Sequence, residues 1–175
     1  MNSEQDELLS NIDRFVTSLP RSVLIRNFQE PNYDVFDDFI IPFELYRGTR
    51  QYIERVADQI NKCYAFGTYD GCAVLMRRII EMLLVLTYKK KDIEEEIKGS
   101  DGNYLHLSQI IVNAKNNKLL DLSRNAKEYL DIFRVKGNLS AHNLFHNTRK
   151  KDLELFQPKF RHLIEELFYK AGIIK

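Results

Sequence analysis

The sequence predicts an all-α protein: a bundle of about five core helices, preceded by an N-terminal helix and an irregular, aromatic-rich arm.

 

Three observations support this fold class. The 175 residues include only 7 Gly and 4 Pro, which are too few punctuating residues for an all-β sandwich or barrel. Apolar residues recur at three- and four-residue spacing over long segments, as on one face of a helix. Hydrophobic residues make up 44% and charged residues 29% of the chain, which is typical of a globular domain with a core of its own.

The first predicted region covers residues 1–47. An amphipathic helix is expected over residues 3–19, capped by Ser3 with Asp6 and ended by Pro20. Residues 20–47 interleave Pro, Asn and Asp with aromatic and aliphatic side chains, and a short strand at 39–45 fits that pattern. So much apolar surface would not stay in water. We therefore expect this arm to wrap the helical body or to dock on another subunit.

The second region, residues 48–175, has the pattern of a helical bundle. Expected here are a helix from a cap at Thr49 to about Phe66, and a second from Thr68 or Asp70 to about Lys90. Gly67 separates them, which implies a tight antiparallel hairpin. A short acidic helix (92–98), a third core helix (103–116), a fourth from Asp121 or Ser123 to Gly137, and a last one (148–173) that Pro158 should kink or split complete the set. The inward residues expected in the first core helix are Tyr52, Ile53, Val56, Ile60 and Tyr64.

The net charge, the cysteine content and the absence of common motifs exclude several classes of function. The net charge of +1 gives no global attraction to nucleic acid, although residues 101–175 carry 13 Lys and Arg against 8 Asp and Glu. Cys63 and Cys72 form no CxxC pair, which favours reduced thiols over a zinc site, and no metal site or cofactor is expected. The acidic N-terminus is unlike a signal peptide, and the longest apolar run is too short to span a bilayer. These features predict a soluble, cytoplasmic protein. The phosphate-loop, GxGxxG, GxSxG and HExxH signatures are absent.

The stretch from Arg134 to Asn143 carries the candidate chemistry. His142 suits proton transfer near neutral pH, and Arg134 suits bidentate binding of phosphate. Asn138 could orient either the imidazole or the phosphate, and Gly137 lets the helix bend or lets a backbone approach closely. In one continuous helix, Arg134 and His142 would be about 12 Å apart along the axis. A shared phosphate therefore requires a bend at Gly137, or an Arg and a His from different subunits. The alternative is that Gly137 and Asn138 only end one helix and cap the next.

Other charged groups allow both a functional and a structural interpretation. Arg77 and Arg78 are each spaced to pair with Glu81 on a helix surface. Arg149, Lys150 and Lys151 could bind RNA phosphates beside the site, or could be the solvated start of a helix.

The pattern Arg134-x-x-Gly137-Asn138-x-x-Ala141-His142-Asn143 resembles the signature of the HEPN superfamily, the higher-eukaryote and prokaryote nucleotide-binding domains. The nearest branch is a prokaryotic family of unknown function. Its long helix, with a paired Arg and a Glu, resembles the segment 65–81 that contains Arg77, Arg78 and Glu81. The resemblance covers about residues 50–172.

The resemblance implies a helical bundle that commonly dimerises, and metal-independent RNase activity in toxin–antitoxin and other defence systems. It also implies catalytic roles for Arg134, Asn138 and His142, with Arg78, Glu81 and Asn143 in support. The usual motif has Arg directly before the Asn, whereas this chain has Gly137 there and Arg134 one turn earlier. Two hypotheses follow: an RNA-directed module that cleaves RNA without a metal, or a catalytically silent domain that dimerises and binds nucleic acid, nucleotide or a partner nuclease.

Overall fold

The computed structural model describes residues 40–174. This part of the chain is an all-α bundle, as the sequence predicts. The predicted helix over residues 3–19 and most of the aromatic arm lie outside the described residues. The elements in chain order are α1 (Phe43–Tyr46), α2 (Gln51–Ala65), α3 (Tyr69–Lys90), a 3₁₀ turn (Glu94–Ile97), α4 (Leu107–Asn116), α5 (Arg124–His142) and α6 (Lys150–Lys170).

Helix α3 is the centre of the bundle. Helices α2, α5 and α6 pack along it, and α4 and the 3₁₀ turn also contact it. Its sequence is apolar on most sides, which suits a helix that has neighbours all round. The buried residues of α3 are Cys72, Ala73, Met76, Ile79, Ile80, Leu83, Leu84, Leu86, Thr87 and Tyr88.

The hairpin between α2 and α3 forms as predicted at Gly67. This glycine has φ +75°, a left-handed conformation that other residues rarely adopt. The amide of Gly67 donates to the carbonyl of Tyr64 (3.2 Å), and the amide of Thr68 donates to that of Cys63 (2.8 Å). This pair of bonds is the Schellman arrangement, which satisfies the last carbonyls of α2.

The end of the aromatic arm, residues 40–47, is held on α2. Asn61 is buried and its side chain forms two hydrogen bonds with the backbone of Ile41. Its Oδ1 accepts from the amide (3.0 Å), and its Nδ2 donates to the carbonyl (2.9 Å). Tyr46 is also buried, and its hydroxyl donates to Asp58 (2.9 Å). Residues 43–46 form a helical turn in place of the suggested strand.

Several predicted boundaries were wrong, each for a local reason. Helix α2 begins after Arg50, because Thr49 donates its hydroxyl to the carbonyl of Tyr46 (2.5 Å) and so does not cap the helix. Tyr52, predicted to face inward, is 46% exposed. Helix α4 starts at Leu107, since Tyr104 pairs instead with Lys98 in an isolated bridge. Helix α6 runs unbroken through Pro158.

None of the helices between residues 40 and 174 combines the length and the apolarity that crossing a bilayer requires.

Candidate nucleic-acid interface

Helix α5 carries Arg134, Asn138 and His142, and it is fixed at its start by Ser123. The Ser123 hydroxyl oxygen accepts from the amide of Ala126 (3.1 Å), which caps the helix. The Glu166 carboxylate on α6 accepts in turn from the Ser123 amide (2.7 Å) and hydroxyl (2.5 Å). Inside the bundle, α5 buries one narrow face made of Ala126, Leu130, Phe133 and Gly137. Outside this face, Arg134 and Asn138 are half-buried and His142 is exposed.

Gly137 does not end α5, so the predicted end of the fourth core helix at this residue was wrong. The helix continues through Gly137 to His142. A Cβ atom at position 137 would lie 2.5 Å from Cβ of Arg77, 2.9 Å from its Cδ and 3.1 Å from the carbonyl oxygen of Ala73. Gly137 is therefore the point of closest approach between α5 and α3, and its missing side chain makes room for the stem of Arg77.

Arg134, Asn138 and His142 follow one another at four-residue spacing along this unbroken helix. They form one stripe, and neighbouring members are close enough to contact one ligand together. The first and last members of the stripe are too far apart for this, because Arg134 and His142 are separated by about 12 Å along the helix axis. Arg134 and His142 of one chain therefore do not meet on a single phosphate.

Arg134 has an acidic neighbour on its own helix. Its Nε atom lies 3.8 Å from Oδ1 of Asp131, and Oδ2 of the same carboxylate accepts from Lys115 of α4 (2.6 Å). All three side chains are at least a quarter exposed, so water screens these pairs. Arg134 is positioned by this contact but remains accessible to an anion.

A shallow depression lies beside the C-terminal end of the stripe. It contains Asn138, His142 and Asn143 together with four apolar residues, Val135, Leu139, Leu144 and Phe145. His142 is exposed, and Leu144 and Phe145 are 93% and 97% exposed. Asn143 has a structural role here, because its Oδ1 accepts from the amide of Phe145 (2.9 Å) and shapes the turn after α5.

The two neighbouring arginines of α3, Arg77 and Arg78, have different surroundings. Arg77, rather than Arg78, packs on Gly137, and Arg78 is exposed. Nη1 of Arg77 lies 3.6 Å from Oε2 of Glu81. Adjacent residues on a helix point about 100° apart, so only one of the two arginines can lie at the crossing with α5.

Arg149, Lys150 and Lys151 lie at the start of α6, and all three are exposed. Arg149 and Lys150 line a groove with the α2–α3 turn, residues 67–71, and not the depression beside His142. Nζ of Lys150 lies 3.4 Å from Oε1 of Glu154 and 5.7 Å from the centre of the Tyr64 ring. The structure does not bring this basic cluster and His142 into one pocket.

His146 follows His142 by four residues but does not line the depression beside it. Its Nε2 lies 3.3 Å from Oγ1 of Thr148, and that hydroxyl lies 2.6 Å from Oγ of Ser140. These residues line an enclosed cavity with Met76 and Phe133. Among residues 40–174, no three His, Cys, Asp or Glu side chains come together in a way that could hold a metal ion.

Cys72 is not a nucleophile at neutral pH. Burial, and secondarily the nearby Cys63, raises the pKa of the Cys72 thiol well above its ordinary value. Its Sγ is 3.5 Å from the carbonyl oxygen of Ile60, so the neutral thiol serves as a small core residue.

Two features of the site were missed by the sequence analysis. The apolar pair Leu144–Phe145 falls between predicted helices, and an apolar pair in a polar connector was the signal that could have drawn attention to it. Arg77 was recognised only as one of two candidates for pairing with Glu81. Comparison with family models, with curated proteins and with solved structures finds no match for this chain. The HEPN resemblance therefore stays a prediction.

Proposed function

We propose that this chain is an RNA-directed, HEPN-like module that works as a symmetric dimer, in the prokaryotic defence or toxin–antitoxin setting that the resemblance implies. The observation that carries the proposal is the stripe of Arg134, Asn138 and His142 on an unbroken helix, half-buried at its first two residues and exposed at His142. The stripe offers a permanent cation, a carboxamide and an imidazole, which are the groups that handle a phosphodiester near neutral pH.

A two-fold symmetric dimer would bring Arg134 of one subunit beside His142 of the other. Asn138 lies midway between them, four residues from each. If two copies of α5 pair antiparallel about a two-fold axis at Asn138, Arg134 of each copy faces His142 of the other. A two-fold interface uses the same patch on both subunits, so one surface generates two equivalent sites.

The apolar residues beside the stripe favour self-association of this surface. Val135 is 43% exposed, and Leu144 and Phe145 are almost fully exposed. Exposed apolar residues that cluster, rather than lie scattered, mark surfaces for association. Pairing of α5 would cover them around the two sites and would lower the local dielectric there, which strengthens the attraction between Arg134 and a phosphate.

The proposed chemistry needs no metal. Neutral His142 accepts the proton of the ribose 2′-hydroxyl, and the 2′-oxygen attacks the adjacent phosphorus. Arg134 of the other subunit stabilises the charge that develops on the non-bridging oxygens. The bond from phosphorus to the 5′-oxygen breaks, and that oxygen takes up a proton from solvent. The products are a 2′,3′-cyclic phosphate and a 5′-hydroxyl end.

The first experiment incubates the protein with labelled single-stranded RNA in EDTA. We expect cleavage by the wild type and a loss of at least about a hundredfold in His142→Ala, the scale of a lost general acid–base group. His162→Ala is the matched control, because His162 is an exposed histidine on α6. Equal cleavage by wild type and His142→Ala, or none by either on varied RNAs, would rule out the enzyme.

The second experiment tests the antiparallel pairing directly. Two copies of residue 138 meet at the proposed axis, so Asn138→Cys in a Cys63→Ser background should form a disulfide between subunits under mild oxidation. Glu128→Cys, an exposed position nearer the start of α5, should not. If the two variants cross-link equally, or neither does, the pairing is wrong.

A catalytically silent interaction domain is the second candidate, and Gly137 favours it. Active members of the superfamily carry arginine at the position of Gly137, and in this chain that position packs closely against α3. In that case the α5 surface binds a partner protein or nucleic acid without cleaving it. A stable dimer or RNA complex that shows no cleavage under any condition would identify this second function.

A further inference from the structure

The guanidinium of Arg77 is left with unused donors at the crossing of α3 and α5. Its Nε atom is buried and has no hydrogen-bond partner within the described part of the chain. Its ion pair with Glu81 is long, at 3.6 Å between Nη1 and Oε2, which is beyond hydrogen-bond length. A guanidinium carries five N–H donors. A buried donor without a partner is unfavourable, and such a group in a folded protein calls for an explanation.

The direction in which Arg77 leaves the crossing follows from its neighbours. Met76 lines the enclosed cavity with Phe133, Lys136 and Ser140, which lie on one side of Gly137 around α5. Arg77 is about 100° further around α3 and contacts Gly137 itself. It therefore lies towards the opposite side of the crossing.

The opposite side of the crossing is the side of the candidate site. Around α5, Arg134 and Asn138 are both displaced from Gly137 in the direction away from Phe133 and Ser140. Arg77 and the stripe on α5 thus flank the same edge of the contact between the two helices. Arg78 is exposed and lies about another 100° around α3.

We propose that Arg77 is a phosphate-binding residue of this site, and that it supplies from α3 the second cation that position 137 lacks. This proposal rests on the proposed function and names RNA backbone phosphate as the ligand. Gly137 is required because only a residue without Cβ lets the Arg77 stem cross α5 at this height. The Arg77 side chain is 30% exposed and its pair with Glu81 is long, so its Nη groups are open to form charge-assisted hydrogen bonds with the phosphate oxygens.

The test measures binding of a fluorescein-labelled single-stranded RNA by anisotropy, in EDTA and with His142→Ala as the background so that RNA stays intact. Arg77→Met keeps an unbranched stem beside Gly137 and removes the donors. We expect its affinity to fall by about tenfold or more, the ratio for one lost charge-assisted hydrogen bond. Arg78→Met removes the same charge from the neighbouring exposed position and should stay within about twofold.

The outcomes separate the two proposals. Binding by the background protein that is equally strong in Arg77→Met overturns the role of Arg77 and leaves the proposed function standing. Equal losses in Arg77→Met and Arg78→Met also overturn it, because general charge then explains the effect. No RNA binding by the background protein removes the proposed function and the phosphate role together.

A second measurement does not depend on the folding of a variant. In ¹⁵N-labelled protein, the Nε–H resonance of Arg77 is assigned by through-bond correlation to its own backbone and followed as RNA is added. We expect this resonance to shift in step with the binding curve, since a phosphate bound at the Nη groups changes the electronic environment of the whole guanidinium. A resonance that stays in place at saturating RNA overturns the proposal.

Discussion

Helices α3 and α5 cross at Gly137, yet they present opposite surfaces to their surroundings. Ten residues of α3 between Cys72 and Tyr88 are buried, and the helix has neighbours on most sides. Helix α5 buries one narrow face and leaves Arg134, Asn138 and His142 outside it. The residues of α3 are thus constrained by packing, whereas the polar stripe of α5 is not needed by the described core. A polar stripe that packing does not require is the stronger indication of a binding surface.

A substitution at the crossing of α3 and α5 should have the largest effect on stability. Gly137→Ala should lower the free energy of unfolding by about 3 kcal/mol, because the new Cβ meets Arg77 and the backbone of Ala73 and the two helices must separate. Gly71→Ala is the control within α3: its Cβ would only touch Sγ of Cys63 at 3.6 Å, so a gain of up to about 1 kcal/mol in helix propensity is expected. Urea unfolding of both variants measures the difference. Equal effects would mean that no tight crossing exists at Gly137.

Tyr88, at the buried C-terminal end of α3, should have a smaller effect on stability, and only at high pH. Burial, and secondarily the Glu96 carboxylate, raises the pKa of Tyr88 to about 12. The folded protein then keeps this proton at a pH where the unfolded chain, with a pKa of about 10, has lost it. Stability from this group is complete below about pH 10 and is lost as the pH rises towards 12, by on the order of 2 kcal/mol.

Tyr88→Phe should therefore flatten the fall in stability between pH 10 and pH 12, as followed by urea unfolding at several pH values. Part of the slope should remain, because burial and Asp58 also raise the pKa of Tyr46. At neutral pH the variant should be at least as stable as wild type, since Asn117 lies near the buried Tyr88 hydroxyl but no described residue meets the distance and angle of a hydrogen bond with it. Tyr169→Phe, at an exposed position on α6, should leave the slope unchanged.

A substitution beside the polar stripe of α5 should have the smallest effect on stability but should change the affinity for RNA. Asp131→Asn removes the carboxylate shared by Arg134 and Lys115. The free energy of unfolding should change by less than about 1 kcal/mol, because these pairs are exposed. RNA affinity should rise severalfold, since a negative charge disappears beside the stripe. Glu128→Gln, on an exposed position of the same helix, is the control, and an equal rise there would mean that net charge alone matters.

Much of the fold could be predicted from local patterns. The apolar spacing identified the helices of the bundle, Gly67 marked the α2–α3 hairpin, and Ser123 was one of two residues expected to start α5. These features depend on residues within one or two turns of each other. The errors fell where a side chain found a distant or unexpected partner, as Asn61 does with Ile41.

The candidate site divides in the same way. The sequence by itself determined that Arg134, Asn138 and His142 share one stretch, because that is a matter of order and spacing. Only the tertiary structure decided that Gly137 is a crossing and not a stop, and that Arg77 rather than Arg78 lies against it. A glycine can end a helix through a left-handed φ, as Gly67 does, or admit a close neighbour while remaining helical, as Gly137 does. Which of the two occurs depends on whether another helix arrives at that position, and that helix is distant in the sequence.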